Sequence, residues 1–279
     1  MRINAASSDY PILHFDPARE AVIEPANLIE PADVPEGAIL CYFTEVIERL
    51  WGDERGKAIG NPGSEGMPIP MYEIDLDGRR LTVIFPGVGA PLASITLADA
   101  IGYGCRKFVV CGAVGALVPE LVAGHVVVPE VTVQDEGTSY HYLTPSNEIR
   151  ADARTVSVIR MVLEERSVPY MLGKTWTSDA VYRETRAKVE GRQGDGSVVV
   201  EMEAAALMAI AHFRRVPLAY LLYAGDSLAG SEWEHRGFRT QSVREALFFL
   251  AAETCFRLIA YTTQCVEGCV HNVGMRALS

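Results

Sequence analysis

Two carboxylates flank a methionine at Glu201-Met202-Glu203, directly after the apolar, β-branched run Val198–Val200 and directly before the helical stretch Ala204–Phe213. Acids at the start of a helix can do no more than complement its dipole. The methionine between them points to a second use. A thioether packs on the face of a sugar while a carboxylate accepts hydrogen bonds from two vicinal hydroxyls. Asp226 is another candidate, in Gly225-Asp226-Ser227-Leu228 after the run Leu218–Ala224. Such an Asp can cap the next turn. At the rim of an apolar pocket it can instead hold a proton and give it to a leaving group. Glycines at Gly87-Val88-Gly89 and Gly112-Ala113-Val114-Gly115 let a ligand approach the backbone, whose amides can hold an anion or a polarised water. Neither cluster has GxxxxGK[ST] or GxGxxG spacing, so triphosphate and dinucleotide sites are unsupported and no cofactor is expected.

These residues need a scaffold that brings strand ends together. Met71–Leu76 and Leu81–Phe85 are β-prone runs joined through Asp77-Gly78, a tight-turn dipeptide, and predict a hairpin. Pro91–Tyr103 has helical spacing and precedes the strand-like Phe108–Cys111. Val126–Val128 and Val131–Val133 read as two short strands, Ala153–Glu165 as a helix and Tyr170–Thr177 as a strand. After Leu218–Ala224 comes a polar loop and a long helix from Ser242 to about Thr262. Residues 1–37, rich in Pro, Asp, Glu and Ala, read as an arm leading into an edge strand, with Ala21–Ile23 as an apolar segment. The alternation predicts an α/β fold: an arm over residues 1–20 and, over 21–279, one domain with a central mixed β-sheet flanked by helices. In such sheets ligands bind at the carboxyl ends of the strands.

Composition narrows the function classes. The 279 residues are 49% hydrophobic and carry a net charge of −11, an unfavourable average field for nucleic acid. No apolar run approaches the roughly 20 residues that span a bilayer, and Met1–Phe15 lacks a signal-peptide pattern, so a cytoplasmic protein with no membrane partner is expected. The six cysteines show no CxxC spacing. Cys265, Cys269 and His271 are too few to hold a metal by themselves, and no metal site is expected.

Taken together, the pieces resemble the nucleoside phosphorylase superfamily, which includes purine nucleoside and uridine phosphorylases and nucleosidases. The resemblance covers roughly residues 20–260. It rests on Val200-Glu-Met-Glu-Ala-Ala205, in order after Gly87-Val-Gly89 and Gly112-Ala-Val-Gly115 and before Asp226. It implies that Glu203 binds the ribose hydroxyls, Met202 packs on the sugar, Glu201 helps to fix it, and Asp226 protonates N7 of a departing purine. It also makes Trp176–Thr185 a loop over the base, with Tyr182 stacking and Arg183 or Glu184 at the base edge. Gly87, Gly112 and Ala113 would border the ligand. His14 would complete the site of a neighbouring copy in a homo-oligomer, a dimer or hexamer. Glycosidic cleavage fits these roles, because an oxocarbenium-like sugar needs negative charge nearby, a proton for the base and a nucleophile.

The nucleophile's place departs from the pattern. Where phosphorylases carry a phosphate-gripping arginine and a serine or threonine, this sequence has Val110 and Ala113. Ala26 and Glu30 stand where an N-terminal glycine and arginine would be. A phosphate site without those charges is hard to sustain. The sequence therefore favours water over phosphate as the acceptor, with Glu30 as a hypothetical general base. The alternatives are a phosphate-dependent phosphorylase and a non-catalytic nucleoside-binding protein. Gly225-Asp226-Ser227-Leu228 also spells the name of a serine esterase family, but only Glu232-x-x-His235 follows it where that family has Asp-x-x-His.

Overall fold

The predicted hairpin turns on two residues. Asp77 and Gly78 both take positive φ, 55° and 78°, as the I′ turn favoured by right-twisted strands requires, and Leu76 pairs with Arg79 across it. The computed structural model describes residues 10–51, 57–64, 67–236 and 241–274, without the side chains of 50–51, 63–64, 67–68 and 261–274. Its strands are β1 (Gly37–Cys41), β2 (Lys57–Gly60), β3 (Gly63–Ser64), β4 (Met67–Pro68), β5 (Met71–Leu76), β6 (Arg79–Ile84), β7 (Lys107–Ala116), β8 (Val126–Asp135), β9 (Glu148–Arg150), β10 (Tyr170–Ser178), β11 (Ser197–Glu201) and β12 (Leu218–Ser227). Its helices are α1 (Pro25–Leu28), α2 (Thr44–Trp51), α3 (Ala90–Tyr103), α4 (Ala153–Glu165), α5 (Arg186–Gly194), α6 (Ala204–Arg214) and α7 (Gln241–Gly274). The side chains of Cys265, Cys269 and His271 lie outside the described residues.

One mixed sheet runs in the order β11-β10-β8-β12-β7-β1-β6-β5-β2, with β9 on the side of β8. Its central pairs β1–β6, β1–β7 and β7–β12 are parallel. β11 also pairs antiparallel with the end of β7, Val199 opposite Ala116 and Val200 opposite Gly115. The sheet therefore curls until five strands close into a ring. One face buries Ala93 and Leu97 of α3 and Ala205, Met208 and Ile210 of α6. The other buries Val46 of α2, Ile159 and Leu163 of α4, and Phe248 and Cys255 of α7. The fold is thus the expected α/β arrangement of a central mixed sheet flanked by helices.

Four local expectations change. β1, five residues that are all buried, lies between β7 and β6 rather than at an edge, and Ala21–Ile23 is exposed and forms no strand. Val126–Val133 is one strand through Pro129, because the sheet partner β10 follows it with a register shift at Gly173/Lys174. The strand read at Phe108–Cys111 does not stop before Gly112–Gly115 but continues through it as the second half of β7. Asp226 likewise caps no helix. It lies inside β12, where a bulge shifts the register between Ala224 and Asp226 and sets Asp226 opposite Gly115. Bulges of this kind bend a strand and re-aim its side chains.

Candidate active site

A cavity of about 410 Å³ opens at the carboxyl ends of the central strands. Its wall includes Glu201, Met202 and Glu203 at the β11–α6 junction, Gly112 and Ala113 of β7, and Asp226 of β12. These predicted residues are brought together. Gly87, with φ 79°, turns the chain into α3 just beside the wall, where its neighbour Val88 lines the cavity.

The two glutamates differ in what they touch. Glu201 Oε2 accepts from the amides of Glu203 (2.7 Å) and Ala204 (2.6 Å), and its Oε1 accepts from the hydroxyls of Thr177 (2.6 Å) and Thr175 (3.4 Å). It ties the first turn of α6 to β10. Glu203 is 8% exposed and its Oε1 accepts the Gly89 amide at 2.6 Å. Burial pushes both carboxyls up, and the charge of Glu201 adds to the rise at Glu203, which reaches about 8. Four donors favour the ionised form of Glu201, so the proton of the pair resides on Glu203.

The same cavity wall holds a second pair, Glu184 and Asp226. Asp226 Oδ2 accepts the indole N–H of Trp233 at 2.6 Å. Gly115 makes room for it: a Cβ there would stand 2.7 Å from Leu228, 3.0 Å from Val200 and 3.4 Å from Asp226 Oδ1. Glu184, half-buried, faces the same cavity from the β10–α5 connection. Its carboxyl is raised to about 7, first by burial and then by the Asp226 charge, against the opposing Ser178 hydroxyl and Lys188 ammonium.

Other predicted residues stand elsewhere. Trp176 belongs to β10 rather than to a loop, is fully buried, and donates to Asp135 at 2.9 Å. In the turn Val181–Arg183 it is Val181 that lines the cavity, whereas Tyr182 is 97% exposed and Arg183 points outward with it. A single 3-10 turn cannot present successive side chains to one side. Glu30 is exposed and follows α1, which packs at the far end of α3: Gly102 faces Pro25 and Ile29, and the Ala32 amide bonds to Tyr103. The 14 residues of α3 put roughly 20 Å between that end and Gly89, so Glu30 does not serve the cavity as a base. Ala26, in α1, is equally remote. His14 is exposed on the arm and does not line the cavity. Ser227 is fully buried and its hydroxyl accepts the Ala229 amide, which removes an esterase nucleophile.

The structure adds residues that carry no local signal. Tyr42, Phe43, Tyr220 and Trp233 line the cavity, and so does Arg244 from α7. The Arg244 guanidinium pairs with Glu45, donates to the Tyr223 hydroxyl at 2.9 Å and lies 4.9 Å over the Phe43 ring. It is the only Lys or Arg among the described residues of the cavity wall. Val110 lies on that wall in register with Leu40 and Tyr220. No group of three or more His, Cys, Asp or Glu among the described residues is arranged to hold a metal. No described helix is long and apolar enough to cross a membrane.

Comparison with known proteins gives the family and the fold. A guanosine phosphorylase from Halorubrum lacusprofundi is 29% identical over 213 residues, 75% of this chain and 86% of the relative. A uridine phosphorylase from Escherichia coli is 26% identical over 151 residues, 49% of this chain and 60% of that one. The crystal structure of an AMP nucleosidase from Bacteroides thetaiotaomicron has the same fold, with a TM-score of 0.67 and 18% identity, over 83% of this chain and 91% of that chain. The family model of the phosphorylase superfamily matches residues 57–255, and the chain belongs to that superfamily.

Proposed function

We propose that this protein cleaves the N-glycosidic bond of a purine nucleoside, with water favoured over phosphate as the acceptor. The observation that carries the reading is the placement of two carboxylate pairs on one cavity. Glu203, pinned by the Gly89 amide beside Met202, suits the ribose hydroxyls. Glu184 and Asp226 line the same cavity, which supports a role for them in giving a departing base its proton. Negative charge near the sugar stabilises the oxocarbenium-like transition state. A proton donor suits a purine, whose N7 can accept it, and the guanosine-cleaving relative is a purine enzyme by name.

Water is favoured because the positions that would grip phosphate are the apolar Val110 and Ala113. Phosphate is the second reading, and Arg244 on the wall is the observation that favours it, together with relatives that are named phosphorylases. Its guanidinium is already engaged by Glu45 and Tyr223, which weakens its claim on an anion. The same proposal carries a homo-oligomer in which His14 reaches a neighbouring copy, supported by the exposed apolar Tyr10, Ile12 and Leu13 around it.

The test is a panel of purine and pyrimidine nucleosides with and without phosphate, with base and sugar products separated by chromatography. Free ribose at a phosphate-independent rate is expected. Ribose 1-phosphate formed only with phosphate would transfer the acceptor role to phosphate and make Arg244 its cation. Binding without base release would leave a nucleoside-binding protein.

A further inference from the structure

We propose that Glu184 is the acid that protonates the departing base, and that Asp226 is the neighbouring charge that keeps the proton on it. This rests on the glycosidic reading above. It reassigns the proton from the residue at which the family resemblance places it to one that only the fold brings alongside.

The geometry separates the two acids. Asp226 is held on β12 by the bulge, and its Oδ2 already takes the Trp233 indole N–H. Glu184 comes from another connection, but the two segments are clamped. Arg186, two residues on, donates to the carbonyls of Leu228 (2.8 Å) and Ser231 (3.2 Å). Backbone bonds between Ser227 and Glu234 (3.0 and 2.9 Å) fold the intervening loop so that Trp233 returns over Asp226. Two carboxyls fixed this way on one cavity wall cannot both ionise cheaply, and at Glu184 burial and the neighbouring carboxyls outweigh the Ser178 hydroxyl and keep the proton. The groups acting on Glu184 are Asp226 from β12 and Glu201 from β11, both negative, with Ser178 from β10 and Lys188 from α5 opposing them.

In the step itself, the bond from C1′ to the base nitrogen breaks and its electron pair goes to the base. The Glu184 O–H gives its proton to the base, and the oxygen of water bonds to C1′. The proton shed by that water passes to solvent at the cavity mouth, from which Glu184 reloads.

The experiment compares guanosine with 4-nitrophenyl riboside, whose leaving group departs without a proton. In Glu184→Gln, guanosine cleavage is expected to fall by at least about 100-fold, while nitrophenolate release stays within a few-fold of the unaltered protein, which also shows that the variant is folded. In Asp226→Asn, removal of the negative charge is expected to move the alkaline limb of the guanosine pH profile to lower pH. Retained guanosine cleavage in Glu184→Gln, equal loss on both substrates, or an unmoved alkaline limb in Asp226→Asn would each overturn the assignment alone. An unaltered protein that cleaves neither substrate would overturn the glycosidic reading and this proposal with it.

Discussion

The two carboxylate pairs of the cavity are assembled in different ways and end in the same arrangement. Glu201 and Glu203 are two residues apart across one strand-to-helix junction, whereas Glu184 on the β10–α5 connection and Asp226 on β12 come from segments 42 residues apart, as the bond from Arg186 to Leu228 spans. In each pair one acid is supplied with donors: Glu201 has four and Asp226 has the Trp233 indole. The other is driven up, Glu203 to about 8 and Glu184 to about 7. All four side chains are carboxyls. In the first pair the four donors on Glu201 against the Gly89 amide on Glu203 decide which carboxyl is the charged anchor and which keeps the proton.

The sharpest way to break this comparison is to remove one member of the first pair at a time. Glu203→Gln is expected to lower kcat/KM for a purine nucleoside by roughly 100-fold with the fold intact, measured by steady-state base release. Glu201→Ala is expected to act on stability, losing roughly 2–4 kcal/mol in denaturant unfolding, because it leaves the Glu203 and Ala204 amides and the Thr177 hydroxyl without their acceptor. Equal effects from the two substitutions would erase the distinction between anchor and ligand.

A change of pH tests the same pair without mutation. The folded-state pKa of Glu203, about 8, lies above its ordinary 4.5, so folding takes up a proton between those values. The stabilisation is complete below the ordinary value and is lost as pH rises through the folded one. The Tm of the ligand-free protein is expected to fall from pH 5 to pH 8.5, and Glu203→Gln to flatten that slope. A slope identical in the variant would place the proton on another group.

Gly115→Ala sharpens the second pair. The added methyl meets Leu228 and Val200 at 2.7 and 3.0 Å, an overpacking that costs roughly 1–3 kcal/mol, and it presses on Asp226. Activity is expected to drop about tenfold, more than the melting temperature alone would suggest. The smallest effects belong to residues that the sequence suggested and the fold sets aside. Tyr182→Ala and Glu30→Gln are expected to leave base release within about twofold, as surface substitutions do, and a larger loss in either would return it to the site.

Much of this was legible in local pattern. The Asp77-Gly78 turn, the helix at Pro91–Tyr103 and the Val200–Ala205 signature each have their cause within a few residues, and Glu201 and Glu203 follow from that signature. Tyr42, Trp233 and Arg244 were not legible, because an aromatic or an arginine in an ordinary run has no spacing that marks it for a cavity. Glu30 misled for the converse reason: its position along the chain matched a pattern, while α1 carried it to the wrong end of α3.

By itself the sequence determined the alternation of the main strands and helices, the tight turn, and the pairing of acids around Met202, since periodicity, turn chemistry and strand-to-helix junctions act over short stretches of chain. The short elements α1, α2, α5, β2–β4 and β9 lie outside what that pattern determined. Only the tertiary structure decided that β7 continues through Gly112–Gly115 and that a bulge sets Asp226 against Gly115. It also decided that Glu203 finds its donor at Gly89, 114 residues away, and that Glu184 shares a wall with Asp226. Each of these depends on which donors and charges the folded sheet brings within hydrogen-bonding or Coulombic reach, and that reach is set in space rather than along the chain.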